Sequence, residues 1–206
     1  MKKYKIFMNF DKEEKWLTDM ERKGYTLVKN SYGYTFQSGE PKQTEIKIDY
    51  RTFKDGEEFE DYRTLYEDSG WEHIAGTKRS GSQYFRRTDN FAREDIFSDT
   101  DSKAARYNRM SILWLRTLIP IIIIYPIMVW KDIMSLKALF NLKLLYLTPG
   151  LWERSGDDFT TAFLFETPFA LMRAFLWAIL PVMIVACIFY STKAYWQYRK
   201  TLDSKV

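Results

Sequence analysis

Two uninterrupted apolar stretches limit what this chain can fold into more than any other feature. Residues 112–130 read ILWLRTLIPIIIIYPIMVW and residues 169–190 read FALMRAFLWAILPVMIVACIFY. A helix rises about 1.5 Å per residue, so roughly 20 residues cross a hydrocarbon core of about 30 Å. Both stretches reach that length. The competing reading is a pair of buried core helices. A soluble helix normally shows a polar stripe, however, and residues 117–130 carry almost no polar side chain. Two membrane spans are therefore expected, and the lipid bilayer is the first partner.

Each span holds one charge near its start, Arg116 or Arg173. An arginine at the bilayer centre costs about 2.5–3.5 kcal/mol, whereas one near an end snorkels to the headgroups. Arg116 and Arg173 are accordingly expected at the membrane interface. Pro120, Pro126 and Pro181 should kink the spans. Ala170, Ala174 and Ala178 recur every fourth residue, a small-residue face that permits close helix approach. It could pack on the first span or on a second subunit, so an oligomer through the second span is one outcome.

Acidic and basic residues balance over residues 1–110, and the net charge of +4 falls on the remainder. A neutral first half lacks the basic face of a nucleic-acid-binding domain. Lys103, Arg106 and Arg109 precede the first span, and Lys193, Arg199, Lys200 and Lys205 follow the second. Lys131, Lys137, Lys143 and Arg154 lie between them. The excess of flanking cations predicts both termini in the cytoplasm and a multi-pass protein of the cell membrane. Lys2, Lys3 and Lys5 are not followed by the apolar run of a signal peptide. The connection 131–168 is itself apolar from Ile133 to Leu147. It is expected as an interfacial helix on the outer face, with a re-entrant segment as the alternative. Residues 191–206 form a basic cytoplasmic tail.

The first 88 residues read as one unit written twice. Lys5 to Phe10 is a strand candidate. Asp11 is placed to cap a helix with Glu14 three residues on, and Trp16, Leu17 and Met20 form its apolar face. Gly24 ends it, and Tyr25–Lys29 and Tyr32–Gln37 form a hairpin. The order then recurs. Ile46–Arg51 is a strand, Asp55 caps a helix with Phe59, Tyr62, Leu65 and Tyr66 on its apolar face, and Gly70 ends it. Trp71–Ala75 and Ser82–Arg87 form the second hairpin. The expected fold class is α+β: a duplicated β-α-β-β unit, a mainly antiparallel sheet of about six strands, and two helices on one face. Residues 89–110 are expected as a linker and a juxtamembrane helix, and residues 111–206 as the membrane domain.

Lys12-Glu13-Glu14-Lys15-Trp16-Leu17, Gly24-Tyr25-Thr26-Leu27, Tyr34-Thr35-Phe36, Ile48-Asp49-Tyr50-Arg51 and Gly70-Trp71 together resemble the bacterial domain-of-unknown-function family 2812 over roughly residues 4–90. The resemblance implies a protein mainly of Gram-positive bacteria, often encoded beside PadR-type regulators. It implies no activity and no catalytic residue. A looser similarity links the unit to duplicated strand–helix–strand–strand domains that bind small effectors in bacterial regulators, an analogy of fold alone.

Chemistry is sparse. The phosphate-loop, dinucleotide and zinc-protease motifs are absent from the sequence. His73 is the one histidine and Cys187 the one cysteine, so a multi-histidine metal site within one chain and an internal disulfide are excluded. No cofactor, metal or catalytic residue is expected. Tyr34, Phe36, Tyr50, Trp71, Tyr84 and Phe85 fall on neighbouring strands; they are either core or an exposed aromatic platform that binds a ligand or partner. The expected function is a membrane-anchored, non-enzymatic regulatory or sensor protein. Its cytoplasmic domain would bind a small ligand or a protein, either a membrane complex or a transcriptional regulator. The alternative is an accessory or immunity subunit of a membrane transport complex.

Overall fold

The computed structural model describes residues 1–88, 94–131 and 133–204. Part of the expected linker, residues 89–93, and Lys205 of the tail lie outside the described residues, as does the side chain of Leu139. The chain divides into two compact units: residues 1–112 with 192–206, and residues 113–191.

The first unit contains β1 (Lys2–Lys3), α1 (Phe10–Arg22), β2 (Tyr25–Ser31), β3 (Gly33–Ser38), β4 (Ile46–Tyr50), α2 (Gly56–Glu67), β5 (Trp71–Ala75) and β6 (Ser82–Arg87). It also takes the start of α3 (Thr100–Trp130) and the end of α4 (Gly156–Asp203). Strand placement follows the sequence pattern except at the start. The expected strand Lys5–Phe10 is replaced by β1, which pairs antiparallel with β3 through Lys2 and Thr35. Phe7 leaves the ladder and packs its ring 5.3 Å from Trp16. The cap of α1 is also displaced. Asn9, not Asp11, accepts the Lys12 N–H at 2.9 Å, which leaves Asp11 available for other bonds. Asp55 caps α2 as expected, accepting from the Glu58 N–H at 2.9 Å. Gly24 has φ +78, and a Cβ there would lie 2.5 Å from the Gly39 carbonyl oxygen. Glycine alone suits that turn.

The strands make two sheets of three, not one of six. Their orders are β1-β3-β2 and β4-β6-β5, both antiparallel. The edge strands β2 and β5 lie side by side. Each carries a register shift, between Leu27 and Lys29 and between His73 and Ala75. A bulge spoils the regular spacing of N–H and C=O groups that a continuous ladder needs.

The two helices do not share one face. Ile46 and Ile48 of β4 pair with Arg86 and Tyr84, and this face packs with Leu17 and Met20 of α1. Lys47 pairs with Phe85, and that opposite face packs with Tyr62 of α2, beside Phe53 and Trp71. Strand alternation sends neighbours Tyr84 and Phe85 into different cores. Leu65, expected on the apolar face of α2, is 64% exposed.

The second unit holds the rest of α3 and α4. Both helices are long and apolar enough to cross a membrane, and only 11% and 6% of their most apolar windows are buried. Core helices of a soluble protein would be mostly buried. The helices run through Pro120, Pro126, Pro168 and Pro181 without interruption. The expected interfacial helix Ile133–Leu147 is absent. Short 3-10 turns at Leu136–Leu139 and Leu142–Leu145 take its place. Asn141 divides them, its side chain accepting from the Lys143 N–H, and such local bonds compete with a continuous helix.

Candidate functional site

The strand aromatics do not form an exposed platform. Tyr34, Phe36, Trp71, Tyr84 and Phe85 are all buried, and Tyr50 is half-buried. They belong to the two cores, the first of the two alternatives for these residues, and only Tyr50 keeps part of its surface exposed. Part of the small-residue face is covered within the chain. Ala170 packs with Ala138 and Leu145, and Ala174 lies beside them. Ala178 is half-buried. Arg116 is exposed. Arg173 does not simply snorkel: its Nη2 donates to Glu166 Oε1 at 2.8 Å. Glu166 is buried and also accepts from the Leu147 and Thr148 N–H groups at 2.6 and 2.8 Å. The connecting segment is thus pinned to α4 by an acid that sequence reasoning passed over.

The strongest polar constellation lies in the first unit and is organised by α3. Lys103, Arg106 and Arg109 are spaced by three and form one stripe of that helix. Arg106 is fully buried. Its guanidinium binds Glu14 at short range, donates to the Ile48 carbonyl at 2.7 Å and to Asp11 Oδ1 at 2.8 Å. Phe10, Phe97 and Tyr107 surround it, with ring centroids 5.0–5.3 Å from its Cζ. Burial works against this cation, but Glu14, Tyr107 and Asp11 more than compensate and hold its pKa above the usual value. Burial pushes the Glu14 carboxyl up while Arg106 pulls it down. With the guanidinium and the Ile48 N–H both donating to one oxygen, we describe an ionised pair. Arg109 reaches the other core, binding Asp49 and the Tyr50 carbonyl. Asp49 is buried and also accepts from the Tyr62 hydroxyl of α2 at 2.9 Å. Lys103 bridges Asp11 and Asp95 at 3.6 and 3.5 Å.

One helix therefore ties α1, β4 and α2 together through cations that, from sequence, counted only as membrane-flanking charge. The end of α4 joins the same core. Ala194 is buried, Tyr198 packs against the α1 core, and the Asn9 amide donates to Gln197 Oε1 at 3.2 Å. The compact unit thus extends beyond residues 1–88 because these two helices close it.

A second buried acid, Glu13, sits on the other side of α1. The hydroxyls of Tyr34 and Tyr84 both donate to its Oε1, at 2.7 and 2.8 Å. Asn30 of the neighbouring sheet donates to Tyr84 in turn. Burial raises the Glu13 pKa above the ordinary carboxyl value, more than the two tyrosines lower it. A folded-state pKa above the unfolded one means stability that is full below about pH 4.3 and is lost as pH rises toward the folded value. Glu13→Gln keeps an Oε1 acceptor for both tyrosines. Thermal melts of the variant are expected to match the wild type near pH 4 and to exceed it increasingly as pH rises. A constant offset between the two at all pH values would contradict the buried, raised carboxyl.

His73 is a strand residue as expected. Its Nε2 is 3.0 Å from Gln83 Oε1, and burial lowers its pKa. Among the described residues, no group of three or more His, Cys, Asp or Glu side chains could hold a metal ion.

No curated protein and no solved structure matches the chain. The family described as protein of unknown function (DUF2812) matches residues 9–119. That range runs well past the motifs that carry the resemblance in sequence. It starts at the cap of α1 and includes Arg106 and Arg109. With more than half of its length matched, the chain belongs to the DUF2812 family.

Proposed function

We propose that the protein is a membrane-anchored, non-enzymatic regulatory or sensor protein of the cell membrane, with both termini in the cytoplasm. Its folded cytoplasmic unit binds a ligand or a protein partner and passes that state to the spans. The observation that carries this reading is that the cores of the folded unit incorporate the ends of both long apolar helices. Arg106 and Tyr107 of α3, and Ala194 and Tyr198 of α4, are core residues of that unit. A binding event that loosens or tightens α1 and β4 acts on α3 through Glu14 and Asp49. The flanking cations favour the cytoplasmic orientation.

We read the two halves of the strand-rich part as copies. Both sheets share the order first, third, second strand, and each helix ends at a positive-φ glycine followed by an aromatic, Tyr25 or Trp71. The transport-subunit alternative leaned on the Ala170 face. That face has intrachain neighbours, so it offers less reason for a second subunit.

Photocrosslinking in native membranes separates the two readings. A crosslinker at Leu65, exposed on α2, is expected to capture a cytoplasmic partner. One at Phe175, exposed on α4, is expected to capture mainly lipid. Capture of transport subunits at Phe175 with nothing at Leu65 would overturn the regulatory reading.

A further inference from the structure

A cavity of about 340 Å³ opens beside α3 in the first unit. One wall is α3 itself, through Ser102, Ala105 and Arg109. Those positions recur at i, i+3 and i+7, a single face of the helix. Opposite stand Leu65 and Tyr66 of α2 and the segment carrying Ile96 and Phe97. The volume lies in the range of small-molecule sites, which combine apolar walls with a few placed polar groups.

The charges in this cavity are unequal once local pairing is taken into account. Asp49 is used by Arg109 and Tyr62. Asp95 is bridged by Lys47 at 3.9 Å and Lys103 at 3.5 Å. Arg51 lines the cavity, exposed, with its guanidinium over the Tyr62 ring at 5.5 Å. Two cations and two carboxylates line the opening, but Asp49 is paired with Arg109 and Asp95 with two lysines outside the cavity, so Arg51 is the lining charge left without a carboxylate partner among the described residues. The Tyr66 hydroxyl, its pKa pushed up to about 12 by burial, keeps its proton and remains a donor. Leu65 is a large aliphatic side chain, mostly exposed, on the lip of this opening.

We propose that this cavity binds a small organic oxyanion, a carboxylate or a phosphate monoester attached to an apolar body. Arg51 takes the oxyanion as a charge-assisted partner, with Arg109 beside it. Leu65, Ile96 and Phe97 cover the apolar body. The site deepens the regulatory reading and rests on it for its meaning: its ligand touches the helix that carries the first apolar stretch, next to the Arg109–Asp49 pair and to Phe97 of the Arg106 cage.

The test uses the full chain in nanodiscs of neutral phosphatidylcholine, with phenyl phosphate and benzoate as probes and isothermal titration as the readout. Saturable binding of at least one probe is expected, and the preferred probe tells a phosphate monoester from a carboxylate. Arg51→Gln, an exposed change outside the Arg106 network, is expected to weaken binding by roughly tenfold and to leave the melting temperature unchanged. Ala105→Trp, which fills the cavity, is expected to abolish binding while the circular dichroism spectrum is retained. Absence of saturable binding by either probe overturns the proposal. So does binding that is indifferent to both variants. Binding is read directly, so it stands or falls separately from the relay: an oxyanion that binds without altering hydrogen exchange in α3 supports the site and counts against the relay.

Discussion

Arg106→Met is expected to destabilise the folded unit by about 3–5 kcal/mol. The reason is what the substitution leaves behind. Met fills much of the volume and keeps contact with Phe10, Phe97 and Tyr107, which surround the guanidinium. Glu14, however, is 6% exposed and, among the described residues, retains only the Ile48 N–H as donor, at 3.0 Å. Breaking a buried pair by removing one partner typically costs this much, because the remaining charge is uncompensated. The double variant Arg106→Met, Glu14→Gln removes that charge and is expected to recover part of the loss. Chemical denaturation of the four proteins in the cycle measures it. A single-variant cost below about 1 kcal/mol would place Arg106 among ordinary surface pairs.

Truncation is expected to have the larger effect. A chain ending at Thr88 lacks Arg106, Tyr107, Arg109 and Tyr198. Tyr107 is fully buried, its ring 4.8 Å from Phe10, and its hydroxyl accepts from the Phe10 N–H at 3.0 Å. Burying one such side chain contributes about 1.5–3 kcal/mol, and the two arginine networks add to this. Together these approach the entire stability of an ordinary domain, about 5–15 kcal/mol. Residues 1–88 alone are therefore expected to show no cooperative melt by circular dichroism. A sharp transition, close to that of the full chain, would show that α3 and α4 only rest on a domain that is already complete.

These two expectations mark where sequence reasoning succeeded and where it stopped. The hairpins and helices of residues 10–87 were legible because period-two alternation, caps and terminal glycines are local signals. The β5 and β6 strands fall where the alternation puts them. The placement of α2 on the opposite face from α1 was not legible. It depends on which of Tyr84 and Phe85 meets which helix, and the aromatic pair reads the same either way. The break into two sheets turns on bulges at Leu27/Lys29 and His73/Ala75, which single-sequence patterns do not mark. The arginine clasp was hidden for a different reason. Cations before a membrane span are expected for topology, so Lys103, Arg106 and Arg109 already had an explanation. The usable signal lay on α1. Glu13 is four residues before Leu17 and seven before Met20, which places a carboxyl on the buried stripe. An acid there calls for a partner: Tyr34 and Tyr84 supply it for Glu13, and Arg106 supplies it for the adjacent buried Glu14. Glu166 was missed likewise, as one acid in a connection read chiefly for its apolar residues.

The central claim is that α3 is a structural member of the folded unit through Arg106, rather than a tether attached to it. Hydrogen–deuterium exchange of the full chain in lipid nanodiscs, wild type against Arg106→Met, tests it most directly. The expected result is lost protection in α1 and β4, the elements bonded to Arg106, with protection in residues 113–130 and 169–190 unchanged. Equal protection of α1 and β4 in both proteins would contradict the claim.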